Sequence, residues 1–295
     1  MLLQKFEKEK LIHPPRWLAD NTCYLTIMGS TSYGVSTDSS DMDVYGFCIP
    51  PKHVVFPHLA GVIPGFGTQP EQFNSWQQHH VRDTGAQKEY DFTVFSIVKM
   101  FDLAMANNPN VIDSLFTSRE CVLHSTQVSE LVRARRREFL HKGAMHKLRG
   151  YAFSQMSKIR NKSNSSNPKR AADIEIHGMD LKFAYHVVRL VLQCEQILLE
   201  GDLDLMRNRE TLKSVRRGEW SLEQLESWFA TKEKSLEIVY ANSKIPHVPD
   251  EENIKRLLLE CLEMHYGNLS EAIRLETPVE KILADIDAIL SKYRV

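Results

Sequence analysis

Thr26-Ile27-Met28-Gly29-Ser30, followed after ten residues by Asp41-Met42-Asp43-Val44-Tyr45-Gly46-Phe47, is the stretch on which the fold turns. Residues Tyr24 to Met28 are β-branched, aromatic or apolar, as in a buried strand, and Gly29 ends the run. Lacking a Cβ, Gly29 lets backbone come close to a neighbour. On the second strand Asp41 and Asp43 are two residues apart and point the same way, with Met42, Val44 and Phe47 as candidates for the core. Adjacent carboxylates repel unless a cation lies between them. Hard oxygen ligands of this type suit Mg²⁺ or Mn²⁺ bridging substrate phosphates. The run Ser36-Thr37-Asp38-Ser39-Ser40-Asp41 is also what an ordinary polar loop looks like, so Asp-x-Asp alone is a weak signal. Strand, Gly-Ser turn, short polar loop and Asp-x-Asp on a second strand is a far more specific order.

That order resembles the signature of the DNA polymerase beta-like nucleotidyltransferase superfamily. The wider context, Gly29-Ser30-Thr31-Ser32-Tyr33-Gly34 and then Asp38-Ser39-Ser40-Asp41-Met42-Asp43-Val44-Tyr45-Gly46, is similar to the RNA-ligase-associated branch, RlaP. The resemblance continues almost to the C-terminus, through Asn108-Pro109-Asn110-Val111, Lys142-Gly143 and Gly150-Tyr151-Ala152-Phe153-Ser154-Gln155. It implies that Gly29 and Ser30 cradle the triphosphate, that Asp41 and Asp43 hold the metal, and that a third carboxylate comes from a later strand. Asp91, in Glu89-Tyr90-Asp91-Phe92-Thr93-Val94, matches that position, with Glu89 as the fallback. Its implied role is to hold one metal ion and accept the proton of an attacking hydroxyl.

At 295 residues the chain is long enough for one large or two ordinary domains. Its formal charge of −1 gives no global attraction to nucleic acid, so any such binding depends on local patches. Five widely spaced cysteines, with no Cys-x-x-Cys, suit a reducing cytoplasm. Neither a signal-peptide stretch nor an apolar run long enough to span a membrane is expected. Oligomeric state leaves no mark in the sequence.

Leu2 to Ile12 reads as an amphipathic helix ended by His13-Pro14-Pro15. The Gly- and Pro-bearing stretch from Pro57 to Lys88 reads as a long loop. Within it Phe73, Trp76, His79 and His80 either stack on a base or pin the loop to the domain. His79 and His80, adjacent on an extended segment, face opposite ways and make no metal pair. Ser96 to Met105 turns helical. Beyond about residue 125 no strand is expected.

The basic run Arg133, Arg135, Arg136, Arg137, Lys142, His146, Lys147 and Arg149 reads either as a phosphate-contacting patch or as a solvated helix face. Lys158 to Arg170 is a polar, basic connection that would also suit a phosphate clamp. In the helix from Asp180, Ala184, Val187, Val188, Val191, Cys194 and Leu198 form a core stripe ended by Gly201. Lys182, His186 and Arg189 share another face, a row suited to the β- and γ-phosphates of a nucleoside triphosphate. A polar face continued by Gln193 and Gln196 is the alternative. The helices opened by Ser221-Leu222-Glu223-Gln224, Asp250 and Thr277-Pro278-Val279-Glu280 read as bundle helices without chemistry.

The expected architecture is α+β. Residues 1–125 form a polymerase-beta-like domain, a small mixed sheet with helices, and residues 126–295 an all-α bundle contributing triphosphate and acceptor contacts. The resemblance implies metal-dependent transfer of a nucleoside monophosphate from a nucleoside triphosphate to an acceptor hydroxyl, with release of pyrophosphate. An RNA end, tRNA included, is the implied acceptor. The other readings are transfer to a protein, as in antitoxins that modify a toxin, transfer to a small molecule, and a non-catalytic nucleotide- or RNA-binding module.

Overall fold

The computed structural model describes residues 1–37, 40–55, 71–83, 85, 87–161, 168–267 and 286. The helix expected from Thr277 (Ile286 apart), the polar segment 162–167, Asp38 and Ser39 of the polar loop, and residues 57–70, 84 and 86 of the expected long loop lie outside them.

The two strands of the opening motif are β1 (Thr22–Ile27) and β2 (Met42–Cys48), antiparallel, with Thr26 opposite Tyr45 and Ile27 opposite Val44. With β3 (Ser75–Asp83), β4 (Lys88–Ser96) and β5 (Val122–Ser125) they form a five-stranded sheet ordered β3-β4-β2-β1-β5. The β2–β4 pair is parallel and the other three pairs are antiparallel, so the sheet is mixed, as expected.

β3 corrects the sequence reading, which places this segment in a loop. Its residues, Ser75-Trp76-Gln77-Gln78-His79-His80-Val81-Arg82-Asp83, are mostly polar because β3 is an edge strand. A register shift between Gln78 and Val81, with His80 at φ 57°, further breaks the two-residue period. Trp76 and Phe73 pin the strand to the domain, Phe73 edge-on to Trp17 at 4.7 Å and Trp76 tilted on Phe92 at 6.1 Å.

One face of the sheet, with Leu25, Val44, Phe92 and Val94, packs on α1 (Leu2–Lys8) through the fully buried Leu3 and Phe6. This helix ends four residues earlier than expected, at Lys8, where Lys10 turns left-handed at φ 57° and the Leu11 amide donates back to the Phe6 carbonyl at 2.9 Å. After β1 comes the single turn α2 (Gly29–Ser32), and after β2 the turn α3 (Lys52–Val55).

The other face carries Tyr24 and Phe47 into the larger core. It is covered by α4 (Ile97–Met105), capped by Ser96, by α5 (Pro109–Phe116), capped by Asn108, and by α6 (Gln127–Ala134), which opens on a Thr126 capping box. The helices that follow are α7 (Gly143–Arg160), α8 (Pro168–His177), α9 (Leu181–Glu200), α10 (Arg209–Arg216), α11 (Leu222–Asn242) and α12 (Glu251–Tyr266). The apolar stripe of α9 is buried as its spacing requires, and Gly201 ends the helix at φ 60°. Hydrophobic contact runs from Tyr24 and Phe47 through Phe139 and Leu148 to Val188 without a break at residue 125. No helix among the described residues is long and apolar enough to cross a membrane.

Candidate active site

Alternation along β2 decides where the site can be. Val44 and Cys48 belong to the face packed on α1, so Asp43, one residue out of phase, points to the opposite face and toward the helices that follow. The Met28 amide donates to the Asp43 carbonyl at 2.7 Å, and the chain then turns sharply at Gly29, φ 64°. A Cβ at Gly29 would collide with Asp43 Oδ2, so backbone and carboxylate share a space that only glycine leaves open. Gly29→Ala is therefore expected to lower kcat/KM for nucleotidyl transfer about a hundredfold, since either Asp43 or the turn must shift. A steady-state value within about twofold of wild type would show that this close approach is not used.

Asp43 and Asp91 are direct partners in the parallel β2–β4 register, and Asp41 sits just before β2. The three carboxylates expected to work together therefore lie at one end of the sheet. Burial raises the Asp43 pKa above the usual carboxylate value, the negative charges of Asp91 and Asp41 raise it further, and Lys182 and His79 pull it down. Asp91 Oδ1 accepts the His80 amide at 2.7 Å and lies 3.6 Å from His79 Nδ1, both offered by the β3 bulge. Glu89 is engaged elsewhere, with His80 Nδ1 at 2.6 Å and Arg82 Nε at 3.3 Å.

Among the described residues no three His, Cys, Asp or Glu side chains form a group that could hold a metal ion by themselves. The donor chemistry still fits a hard divalent cation: Asp43 is held in a repulsive field that a cation would relieve, and its carboxylate lies against the cradle left by Gly29. Mg²⁺ is ordinarily held by one or two carboxylates together with substrate phosphates and water, so a complete cage of side chains is not required.

A cleft of about 590 Å³ opens between Asp41 and Asp43 and the helices, and Asp91, the third carboxylate expected there, is not among the residues that line it. One side is Gly29, Ser30, Asp41 and Asp43, with Val35, Ser36, Thr37 and Ser40 of the intervening loop. The other is Arg170 and Asp173 of α8, Leu181, Lys182, Tyr185 and His186 of α9, and Lys213, Arg216 and Arg217 at the end of α10. Asp180 caps α9, accepting from the Lys182 and Phe183 amides at 2.9 and 3.2 Å, and so places Lys182 at the mouth.

The expected row of three cations does not face the cleft as a row. Lys182 and His186 line it, whereas Arg189 is buried outside it, with Nη1 at 2.6 Å from Asp113 Oδ2 and 2.5 Å from the Tyr33 hydroxyl. Burial lowers the His186 pKa well below its ordinary value, and Arg189, Lys182, Arg170 and Arg216 add to the shift. His186 is therefore neutral at neutral pH. Further positive charge lines the cleft at Arg170, which ends the basic connection read as a possible phosphate clamp, and at Lys213, Arg216 and Arg217, which sequence reasoning did not assign to the site. Arg216 donates to the Val35 carbonyl at 3.0 Å and sits over the Tyr185 ring. The dibasic pair Arg216-Arg217 before Gly218 is the local signal for the last two.

The basic run beginning at Arg133 is mostly internal. Arg133 donates to the Thr117 carbonyl at 2.8 Å and bonds the Tyr24 hydroxyl; Arg135 pairs with Glu138 at 2.7 Å, Arg137 pairs with Asp202, and Arg149 joins Glu233 and Glu237 at 3.1 and 2.6 Å. These arginines tie the sheet and the helices together.

A family model described as the RNA repair pathway DNA polymerase beta family, RlaP, matches residues 2–266. The chain belongs to this family. It is accordingly a nucleotidyltransferase, and its α+β fold is that of the polymerase-beta-like class. This RlaP chain is also similar to a solved nucleotidyltransferase-like protein from Exiguobacterium sibiricum 255-15, at 12% identity and a TM-score of 0.29, over 98% of this chain and 90% of the other. Among curated proteins none matches. Nucleotidyltransferases of this kind typically use divalent metals.

Proposed function

We propose that this RlaP protein transfers a nucleoside monophosphate from a nucleoside triphosphate to a hydroxyl at an RNA end, tRNA included, using Mg²⁺ or Mn²⁺. The observation that supports this most is the cleft itself, with Asp41 and Asp43 on one side and Lys182, Arg170 and Arg216 facing them across a space of nucleotide size. The RNA acceptor follows the family's description as belonging to an RNA repair pathway. The division of labour is part of the proposal: residues 1–125 hold the carboxylates, and residues 126–295 supply the cations that grip the phosphates. The five cysteines, all buried and free, suit work in the reducing cytoplasm.

In this reading the Gly29–Ser30 turn and Ser30 hydroxyl orient the phosphates, while Lys182, Arg170 and Arg216 neutralise charge that builds on the departing pyrophosphate. Asp41 and Asp43 would hold the divalent ion, which supplies charge neutralisation and polarises the reacting phosphate. Asp91 accepts the proton of the attacking hydroxyl, the bulge amide of His80 fixing its carboxylate. Neutral His186 donates or accepts a hydrogen bond and adds no charge.

The test is incubation with each α-³²P-labelled nucleoside triphosphate, Mg²⁺ or Mn²⁺ and total RNA, beside the Asp41→Ala, Asp43→Ala double variant. Label in RNA with wild type alone is the expected result and names the nucleotide. Label in protein bands would move the acceptor to a polypeptide. Triphosphate binding without label anywhere would overturn the catalytic reading.

A further inference from the structure

Helix α7 carries Lys147, Arg149, Lys158 and Arg160 and no acidic side chain in its 18 residues, so any charge balance has to come from its neighbours. Toward α11 it does. Arg149 is paired there with Glu233 and Glu237, Arg160 meets Glu226 at 2.8 Å, and Phe153 packs edge-on to Phe229 at 5.2 Å. Another side of the helix has no such lining. Lys147, Tyr151, Ser154 and Lys158 follow one another at three- and four-residue steps and so form one stripe along α7. All four are exposed, Tyr151 at 41%, and Lys147, 6.0 Å from the centre of the Tyr151 ring, forms no ion pair among the described residues.

Gly150 lies beside this stripe, exposed and well inside the helix. Glycine weakens a helix interior, and no neighbour among the described residues requires it, since an added Cβ would meet nothing within 4 Å. It leaves bare backbone where a second chain can come close. The stripe then runs into the cleft. Lys158 Nζ lies 5.3 Å from the centre of the Phe183 ring, the Arg170 guanidinium lies 5.1 Å from the same ring, and Arg170 lines the cleft with Lys182. From Lys147 to Lys158 the helix advances about 16 Å. Cations around an exposed aromatic ring, on a helix without acids, complement a polyanion that also offers flat rings. Single-stranded nucleic acid has both properties.

We propose that this face of α7 is the track on which the single-stranded end of an acceptor RNA lies as it enters the cleft, with its phosphates against Lys147 and Lys158 and one base stacked on Tyr151. This rests on the reading of the cleft as a site of nucleotidyl transfer to RNA and adds to it the surface that holds the acceptor.

The experiment follows, by fluorescence anisotropy, binding of a labelled single-stranded RNA of about 12 nucleotides, and of the same RNA annealed to its complement, between about 50 and 200 mM salt. Wild type, Lys147→Gln, Tyr151→Ala and Tyr151→Phe are compared, with a thermal melt of each. Tyr151→Ala is expected to bind the single strand about tenfold more weakly with an unchanged salt dependence, and Tyr151→Phe, which keeps the ring, to bind as wild type does. Lys147→Gln is expected to flatten the slope of log affinity against log salt by about 0.7, the share of one phosphate contact on a single strand. The melts are expected to coincide, because both side chains are exposed. An unchanged slope in Lys147→Gln, or single-strand affinity within about twofold of wild type in Tyr151→Ala, would overturn the proposal. A duplex held as tightly as the single strand would also do so. Displacement of the RNA by a poly-glutamate peptide as effectively as by unlabelled RNA would overturn it in favour of an acidic polypeptide. RNA held on this face by a wild type that adds no nucleotide to it would instead strike the nucleotidyl-transfer reading and leave the track standing; transfer onto RNA with binding unaltered in the variants would do the reverse.

Discussion

Asp43→Asn is expected to lower nucleotidyl transfer about a thousandfold or more while leaving the protein at least as stable as wild type. The two effects have one cause. Burial and the charges of Asp91 and Asp41 hold the Asp43 carboxyl above its ordinary value, so the folded protein binds that proton more tightly than the unfolded chain does. The stability this contributes is fully present below the ordinary carboxylate value and is lost as pH rises through the raised one. At neutral pH without a divalent cation, the ionised group is therefore a cost to the fold, and the isosteric amide removes it. The amide also removes an anionic ligand and half of the Asp41–Asp43 pair facing the cationic wall. Single-turnover rates with saturating triphosphate, together with melting curves in EDTA, read both effects. A variant within tenfold of wild-type rate, or one that melts several degrees lower, would remove Asp43 from the role given to it.

Asp113→Ala is expected to cost about 3–5 kcal/mol of folding stability, a large share of what a domain ordinarily has. Asp113 on α5 and Arg189 on α9 are both buried, with side chains 2% and 7% exposed. Gln193 Nε2 donates to both oxygens of Asp113 at 3.1 Å, and the Tyr33 hydroxyl completes the cluster. Burial works against the Arg189 charge, but Tyr33 and Asp113 outweigh it and hold the guanidinium charged. Removing the carboxylate alone would strand that charge in the core. Replacing both partners, as in Asp113→Leu with Arg189→Met, is expected to recover most of the loss, because a well-packed apolar pair carries no desolvation penalty. Urea unfolding of the two single variants and the double variant measures this. A loss below about 1 kcal/mol for the single variant, or no recovery in the double, would show that the pair does not hold α9 to α5.

The elements legible in the sequence are those whose signal is local. The strand before Gly29, the capping residues of α9, α11 and α12, and the buried stripe of α9 each follow from side chains within one or two turns of each other. β3 was not legible, because an edge strand exposes its polar side chains and its bulge at His79–His80 breaks the alternation by which a strand is recognised. The run of arginines from Arg133 was ambiguous for a related reason: charge in a sequence does not reveal whether a glutamate from a distant helix waits for it. Arg149 found two on α11.

By itself the sequence determined that Asp43 sits on a strand beside a glycine turn with Asp41 two residues earlier, that Asp91 sits on a later strand, and that Lys182, His186 and Arg189 share a face of one helix. Those are consequences of the strand and helix periods, which need no knowledge of neighbours. Only the tertiary structure decided what each of those faces meets. Parallel pairing set Asp91 directly beside Asp43. Over the seven residues from Lys182 to Arg189 the helix advances about 10 Å, far enough to leave the cleft and pass under α5, where Asp113 takes the arginine. Arg216 entered the site from a stretch to which sequence reasoning assigned no chemistry, because a residue's role there depends on which distant surface packing brings within reach.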